Sequence, residues 1–292
     1  MVKKAIILAG GTGSRLAPTS FAINKQLMML YDKPVIYYPI SLLMLIGIKN
    51  ILIIVNKGQI KNFKKLLGNG KKFGLKLSYA EQTKPSGIPE AFKIGSKFIA
   101  KDNVALILGD NFFFGQGLTD ILCQAKKNFI KGANIFIKKV KHPERYGIVK
   151  VFKNKIIKII EKPNKKISND AITGLYFFDN DVKKYAKLLR PSKRKETEIT
   201  DLIRIYKEKN NLKHTYLGVG SVWSDIGTVD DMLQISNYIS SINNIQNFKI
   251  ACLEEIAWRM GFIDTEHARK LADELVKSGY GSDIHQQLDL GL

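Results

Sequence analysis

Ala5-Ile6-Ile7-Leu8-Ala9-Gly10-Gly11-Thr12-Gly13-Ser14-Arg15-Leu16, followed ten residues after the arginine by Lys25-Gln26, decides how this chain folds. The run Ala5-Ile6-Ile7-Leu8 reads as a buried strand, and the glycines after it mark a place where the backbone turns sharply and something approaches closely. A glycine turn behind a strand exposes consecutive N–H groups, to which Arg15 and Lys25 add two cations, so the visitor expected there is an anion such as a polyphosphate. A Walker phosphate loop would close on Gly-Lys-Ser/Thr, and Leu16 stands where a dinucleotide fingerprint needs its third small residue. A dinucleotide oxidoreductase is disfavoured further by Asn56, which occupies the end of the second strand where an acidic residue is wanted.

Working outward, apolar strand-like runs recur at Ala5-Leu8, Ile51-Val55, Leu77-Ala80, Val104-Leu108, Ile135-Ile137, Ile148-Phe152, Ile156-Ile160 and Ile172-Phe178. Helical stretches between them, such as Pro34–Ile46, predict an α/β, Rossmann-like fold with a mostly parallel central sheet and helices on both faces. The glycine loop then falls at the carboxyl edge of that sheet, and Val104-Leu108 delivers Asp110 to the same edge. Gly147 to Ile157 reads as a small β-hairpin around an Asn154-Lys155 turn. Beyond Ile199 the chain reads as helical. Near the end Asp264-Thr265 caps a segment with Ala268, Leu271, Ala272, Leu275 and Val276 on one face, and Gly279 stops it.

The charge balance divides the chain in the same place. From Lys249 to the end there are five basic and eight acidic residues, a net −3, so the first 248 residues carry +24 of the formal +21 total. We therefore expect residues 1–248 to form the main α/β domain and 249–292 a C-terminal helical appendage that serves an interface or regulation. The strong positive charge invites a nucleic-acid partner, but only seven of the 47 basic residues are arginine and the lysines lie in scattered pairs, so solvated lysine faces are expected instead. The apolar part of the N-terminus stops at Gly10, too short for a signal peptide. The stretch from Val35 to Ile48 is broken by Pro39, Ser41 and Gly47 and does not make a membrane span. Cys123 and Cys252 read as reduced core residues, and a cytoplasmic enzyme without membrane or nucleic-acid partners is the expectation. No hexapeptide repeat is present.

The glycine motif resembles the signature of the sugar nucleotidyltransferases, which join a nucleoside triphosphate to a sugar 1-phosphate. Tyr31-Asp32-Lys33-Pro34, Gly109-Asp110-Asn111, Glu144-Arg145-Tyr146-Gly147, Glu161-Lys162-Pro163, Thr173-Gly174-Leu175-Tyr176, Trp223-Ser224-Asp225 and Ala251-Cys252-Leu253-Glu254-Glu255-Ile256-Ala257 follow in the order and spacing of the branch that acts on glucose 1-phosphate with dTTP. The resemblance covers nearly the whole chain. It implies magnesium-dependent formation of dTDP-glucose and pyrophosphate, the first step toward dTDP-rhamnose and other deoxysugars.

By the same resemblance Asp110 and Asp225 hold the metal, and Arg15, Lys25 and Lys162 are the catalytic cations, Lys162 on the sugar phosphate. Gly10, Gly11, Gly13, Gln82 and Gly87 bind the nucleotide, while Tyr146, Gly147, Glu161, Lys162 and Gly174 bind the sugar. Two of these have an independent chemical case: the Gln82 amide both donates and accepts, as a pyrimidine edge requires, and the Glu161 carboxylate can accept two sugar hydroxyls. A homotetramer with feedback inhibition by a dTDP-deoxysugar is also implied. The chain departs from the branch at Gly87-Ile88-Pro89-Glu90-Ala91, where Leu-Ala-Gln-Ala usually follows the glycine, and at Ser224 and Ile226 around the second aspartate. Uridylyl transfer is the alternative reaction, since thymine and uracil differ by one methyl. A low-activity, nucleotide-binding regulatory relative is the alternative outside catalysis.

Overall fold

The strand Val2–Ala9 lies inside a nine-stranded sheet, with Asn50–Asn56 along one edge and Asn103–Leu108 along the other, both parallel to it. Lys76–Gln82 extends this half of the sheet, again in parallel. The computed structural model describes residues 1–192, 194–246 and 248–291; positions 193, 247 and 292 of the predicted ranges lie outside the described residues. Successive side chains of these strands enter opposite cores. Ile7, Ile53 and Ile107 pack on one face with the helix Tyr37–Leu45, while Ile6, Ile54 and Leu106 pack on the other with Phe92 and Leu202. Two covered faces explain why the strands read as unbroken apolar runs.

The other half of the sheet is mixed. Asp170–Phe178 runs antiparallel to Asn103–Leu108 and to Ala133–Lys139, and Leu212–Tyr216 lies parallel beside Ala133–Lys139. Asp170–Phe178 also forks: Leu175 to Phe178 pair with Asn103–Leu108, whereas Asp170 and Ala171 pair with Val149 and Ile148 of the hairpin Gly147–Phe152 and Lys155–Glu161. The hairpin turn is Lys153-Asn154, one residue earlier than predicted. Both residues have positive φ, 46° and 59°, the geometry whose twist matches paired strands.

Beyond Ile199 the prediction needs correction. Helix Ile199–Glu208 is followed by the strands Leu212–Tyr216 and Ser221–Asp225 before the long helix Val229–Gln246 begins. Leu212–Tyr216 is a polar, half-exposed edge strand, so it carries no apolar run to announce it. Ser221–Asp225 pairs with Asn111–Gly115 in a separate two-stranded ribbon. The first predicted helix is also shorter, Tyr37–Leu45, because Lys33–Pro34 is used in a short strand pair.

The C-terminal segment forms helices Leu253–Arg259, Thr265–Asp273 and Tyr280–Leu290. Asp264 caps the second, its Oδ1 accepting from His267 N–H at 2.8 Å. The predicted stripe is largely used within the chain, with Ala268 and Ala272 packed on Ile284 and Leu288, although Val276 stays 45% exposed. Leu253, Ile256 and Ala257 belong to the same core as Ile7 and the helix Tyr37–Leu45, so the first of these helices completes the main core. Leu253→Ala is therefore expected to destabilise the protein by about 3 kcal/mol in denaturant unfolding, as for a fully buried leucine. Both cysteines are free, and among the described residues no helix is long and apolar enough to cross a membrane.

Candidate active site

Three adjacent parallel strands end in Gly10-Gly11, Asn56 and Gln82, with Asn56 and Gln82 directly opposite each other in register. Asn56 Nδ2 donates to the Gly11 carbonyl at 2.7 Å, and its Oδ1 accepts from Gly11 N–H at 3.2 Å. The Gln82 side chain is buried against Gly10, where a Cβ would stand 1.7 Å from Gln82 Nε2, so a larger residue would displace the amide. Gly87, at φ +106°, meets a similar wall in the Thr197 carbonyl, 2.0 Å from a would-be Cβ. Thr197 N–H in turn donates to the Ser86 carbonyl at 2.8 Å, tying this turn to the far side of the cleft. The unusual Pro89-Glu90 pair has a local reason. Pro89 opens the helix Glu90–Ile94 and Glu90 sits in its first turn, where a negative charge is favoured, with Lys93 at 3.1 Å.

Gly13, at φ 61°, starts the short turn Ser14–Leu16 that carries Arg15. The Arg15 side chain is exposed, and its guanidinium lies over Gly227, where a Cβ would come within 2.7 Å of it. It thus borders the loop after Asp225 and is not part of the cleft lining. Lys25 Nζ is 2.5 Å from Asp110 Oδ2.

Asp110 lies between Asn103–Leu108 and Asn111–Gly115, and Asp225 closes the strand paired with Asn111, so one ribbon end presents both carboxylates. Ile226 N–H donates to the Asp110 carbonyl at 2.9 Å and joins the two turns. Asp225 Oδ1 accepts from the Tyr146 hydroxyl at 2.7 Å and from Arg145 at 3.4 Å. Burial lifts the Asp225 carboxyl above the usual range and the charge of Asp110 adds to this, against the pull of Tyr146 and Arg145. Arg145 is held mainly by Asp231, at 3.0 Å. Burial alone would raise the Asp231 carboxyl, but hydrogen bonds from Arg145 and Thr228 hold it below the ordinary value.

The donor set suits magnesium. Among the described residues no group of three or more His, Cys, Asp or Glu is placed to hold a metal ion, but two mutually repelling carboxylates suffice for a hard ion whose remaining ligands are substrate phosphates and water.

A cleft of about 330 Å³ runs from Gly10, Gly11, Gln82 and Gly87 to Tyr146, Gly147, Glu161, Lys162 and Gly174, with Asp225 on its wall. Gly11 alone of these also faces the adjoining mouth that holds Lys25. Glu161 Oε2 is buried, with the Thr200 hydroxyl as the neighbour of the carboxylate, and it has capacity to accept a ligand hydroxyl. Burial and the neighbouring Glu198 push the Glu161 carboxyl upward, against the Thr200 hydroxyl, Lys162 and Arg194. Lys162, at φ 41°, donates its backbone N–H to the Tyr146 carbonyl at 3.0 Å, which holds these two residues together. Gly174 sits at the sheet fork with room only for Asn111, whose Oδ1 would lie 2.3 Å from a Cβ there.

Asn111 was not singled out by sequence reasoning, yet it links much of the site. Its Oδ1 accepts from Gly174 N–H at 3.1 Å and Trp223 Nε1 at 2.7 Å, and its Nδ2 donates to Asp110 Oδ1 at 3.0 Å. Arg145 and Arg194 were also missed, Arg194 lying 3.7 Å from both Glu161 and Glu198. Arginine is scarce in this chain, and that scarcity is the signal that sets both apart from its many lysines. Asn56 was weighed only as an absent acid.

The sequence profile of the nucleotidyl transferase family matches residues 4–241. The glucose-1-phosphate thymidylyltransferase of Neisseria meningitidis is 48% identical over 279 residues, 95% of this chain and 96% of that protein. The enzyme of the same name from Mycolicibacterium smegmatis is 43% identical over 98% of this chain and 99% of its own. Among solved structures, one assigned as a glucose-1-phosphate thymidylyltransferase of Bacillus anthracis, in complex with a sucrose, superposes with a TM-score of 0.75 at 35% identity, covering 80% of this chain and 94% of that one. A UDP-glucose pyrophosphorylase complexed with UDP-glucose shares the fold, with a TM-score of 0.71 at 23% identity over 82% of this chain and 99% of that one. Matched by the profile over most of its length and by these relatives almost end to end, the chain belongs to the nucleotidyl transferase family, among the glucose-1-phosphate thymidylyltransferases.

Proposed function

We propose that this protein transfers the thymidylyl group of dTTP to glucose 1-phosphate, releasing pyrophosphate, with magnesium as its metal. The observation that carries this reading is the arrangement of one cleft: an amide and glycine-lined end at Gln82, the buried Glu161 carboxylate, and Asp225 on its wall with Asp110 at the same ribbon end. One bond forms, between a sugar phosphate oxygen and the α-phosphorus, and one breaks, to the oxygen that leaves with pyrophosphate, so no protein nucleophile is needed.

Magnesium, when bound at Asp110 and Asp225, supplies positive charge to the phosphate oxygens. The protein groups orient and neutralise. Gln82 reads the base, while Gly10 and Gly87 let it approach the backbone. Lys25, held at Asp110, and Arg15, beside the Asp225 loop, face the triphosphate. Lys162 takes the sugar phosphate and Glu161 the sugar hydroxyls; Tyr146 fixes Asp225 by its hydroxyl.

Pyrophosphate release with glucose 1-phosphate and magnesium, followed for dTTP, UTP, CTP and GTP in turn, tests the reading. Fastest turnover with dTTP is expected. Preference for UTP would move the enzyme to uridylyl transfer, and binding without turnover of any nucleotide would make it a regulatory relative. Homotetramer formation with inhibition by a dTDP-deoxysugar is part of the same proposal. Its support is the exposed pair Val229 and Leu233, one turn apart on the helix Val229–Gln246, which a partner subunit would cover.

A further inference from the structure

We infer that Asn56 is a specificity-determining positioning residue: it fixes which way the Gln82 amide faces and so selects a pyrimidine with a ring N–H over one with an exocyclic amine. The inference rests on the reading of the cleft as a pyrimidine nucleotide site.

An isolated glutamine amide can turn over and exchange its donor and acceptor. In one orientation it meets the N3–H and O4 of thymine or uracil; in the other it meets the N3 acceptor and N4 amine of cytosine. Gln82 lacks that freedom because of a chain of constraints that begins at the backbone. Gly11 offers Asn56 one N–H and one carbonyl, neither of which can change role, so Asn56 must place Oδ1 toward the Gly11 N–H and Nδ2 toward the carbonyl. That leaves Oδ1 as the atom facing Gln82, and Gln82 answers with Nε2 at 3.1 Å.

Turning Gln82 over would set two acceptor oxygens against each other in a crowded place. The side chain is only 4% exposed, and its amide fills the space that a side chain at Gly10 would need. One amide proton is therefore engaged by Asn56, while the second proton and Oε1 remain for the base, in the thymine and uracil pattern. Among the described residues no donor meets Oε1. Cytosine would present its N3 acceptor to that oxygen. Asn56 contacts no substrate in this scheme; it acts through Gln82, and it has no influence on the thymine methyl.

Two variants separate this from a simple loosening of the glycine loop. Asn56→Leu keeps the size and removes the lock. Asn56→Asp keeps an acceptor toward Gln82 while losing the donor to Gly11. Steady-state turnover of dTTP, dUTP and dCTP is measured for each, with calorimetric binding of dTTP and dCTP in the absence of glucose 1-phosphate. In Asn56→Leu the dTTP:dCTP ratio of kcat/KM and of affinity should fall by at least about tenfold while the dTTP:dUTP ratio stays within about twofold of wild type. Asn56→Asp should retain the wild-type dTTP:dCTP ratio even if kcat/KM drops for all three nucleotides. Should Asn56→Leu fail to fold, Asn56→Ala is read by the same ratios. An unchanged dTTP:dCTP ratio in the lock-free variant, or a parallel fall of both ratios, overturns the inference. A wild-type protein that neither binds nor turns over pyrimidine nucleotides refutes the functional reading itself, and the inference with it.

Discussion

Asp110→Asn and Asp225→Asn are each expected to lower turnover on the order of a hundredfold or more, and EDTA should abolish activity. An asparagine is nearly isosteric with aspartate and can still accept a hydrogen bond from Tyr146 at position 225, so the fold should survive while the charge that retains the ion is lost. The two variants should differ in one respect. Asp110→Asn also releases Lys25 from its 2.5 Å pair, whereas Asp225→Asn leaves that pair in place and removes only the weaker contact of Arg145. Turnover at saturating magnesium and the thermal midpoint, measured on the same preparations, separate chemistry from folding. Near-normal turnover in both variants would show that neither carboxylate serves the metal.

Arg15→Ala should lose about 3 kcal/mol of transition-state stabilisation, read as a fall in kcat/KM of more than about a hundredfold. The guanidinium is exposed and rests on Gly227, so little packing is lost and the thermal midpoint should hardly move. Arg15→Lys should recover only part of the rate, because an ammonium supplies charge without the planar fork. A variant that unfolds readily but keeps its specific activity while folded would assign Arg15 a structural role.

The parallel half of the fold was legible because its inner strands Val2–Ala9, Asn50–Asn56 and Asn103–Leu108 are buried on both faces and announce themselves as apolar runs. Ser221–Asp225 and Leu212–Tyr216 were not, since a ribbon and an edge strand need no such run. The site shows the same division. The glycine turn that includes Gly10 can be read from the chain and Gly87 from the resemblance alone; the structure adds what faces each, the Gln82 amide and the Thr197 carbonyl. Asn56 and Asn111 could not be read, because what they do depends on partners 26 to 112 positions away that only the register of paired strands brings within reach.

The helix Leu253–Arg259 also governs when the protein can fold during its own synthesis. Ile7 and the helix Tyr37–Leu45 leave the ribosome early, but the apolar face that closes over them includes Leu253, Ile256 and Ala257, which are made much later. Until that helix is made the nascent chain carries a core open on one side, and domains fold as units once their sequence is available. A stop codon falling between Asp225 and this helix yields a polypeptide that holds every residue of the cleft and still lacks the closing piece of its interior. Such a product is a substrate for chaperones and proteases before it is an enzyme.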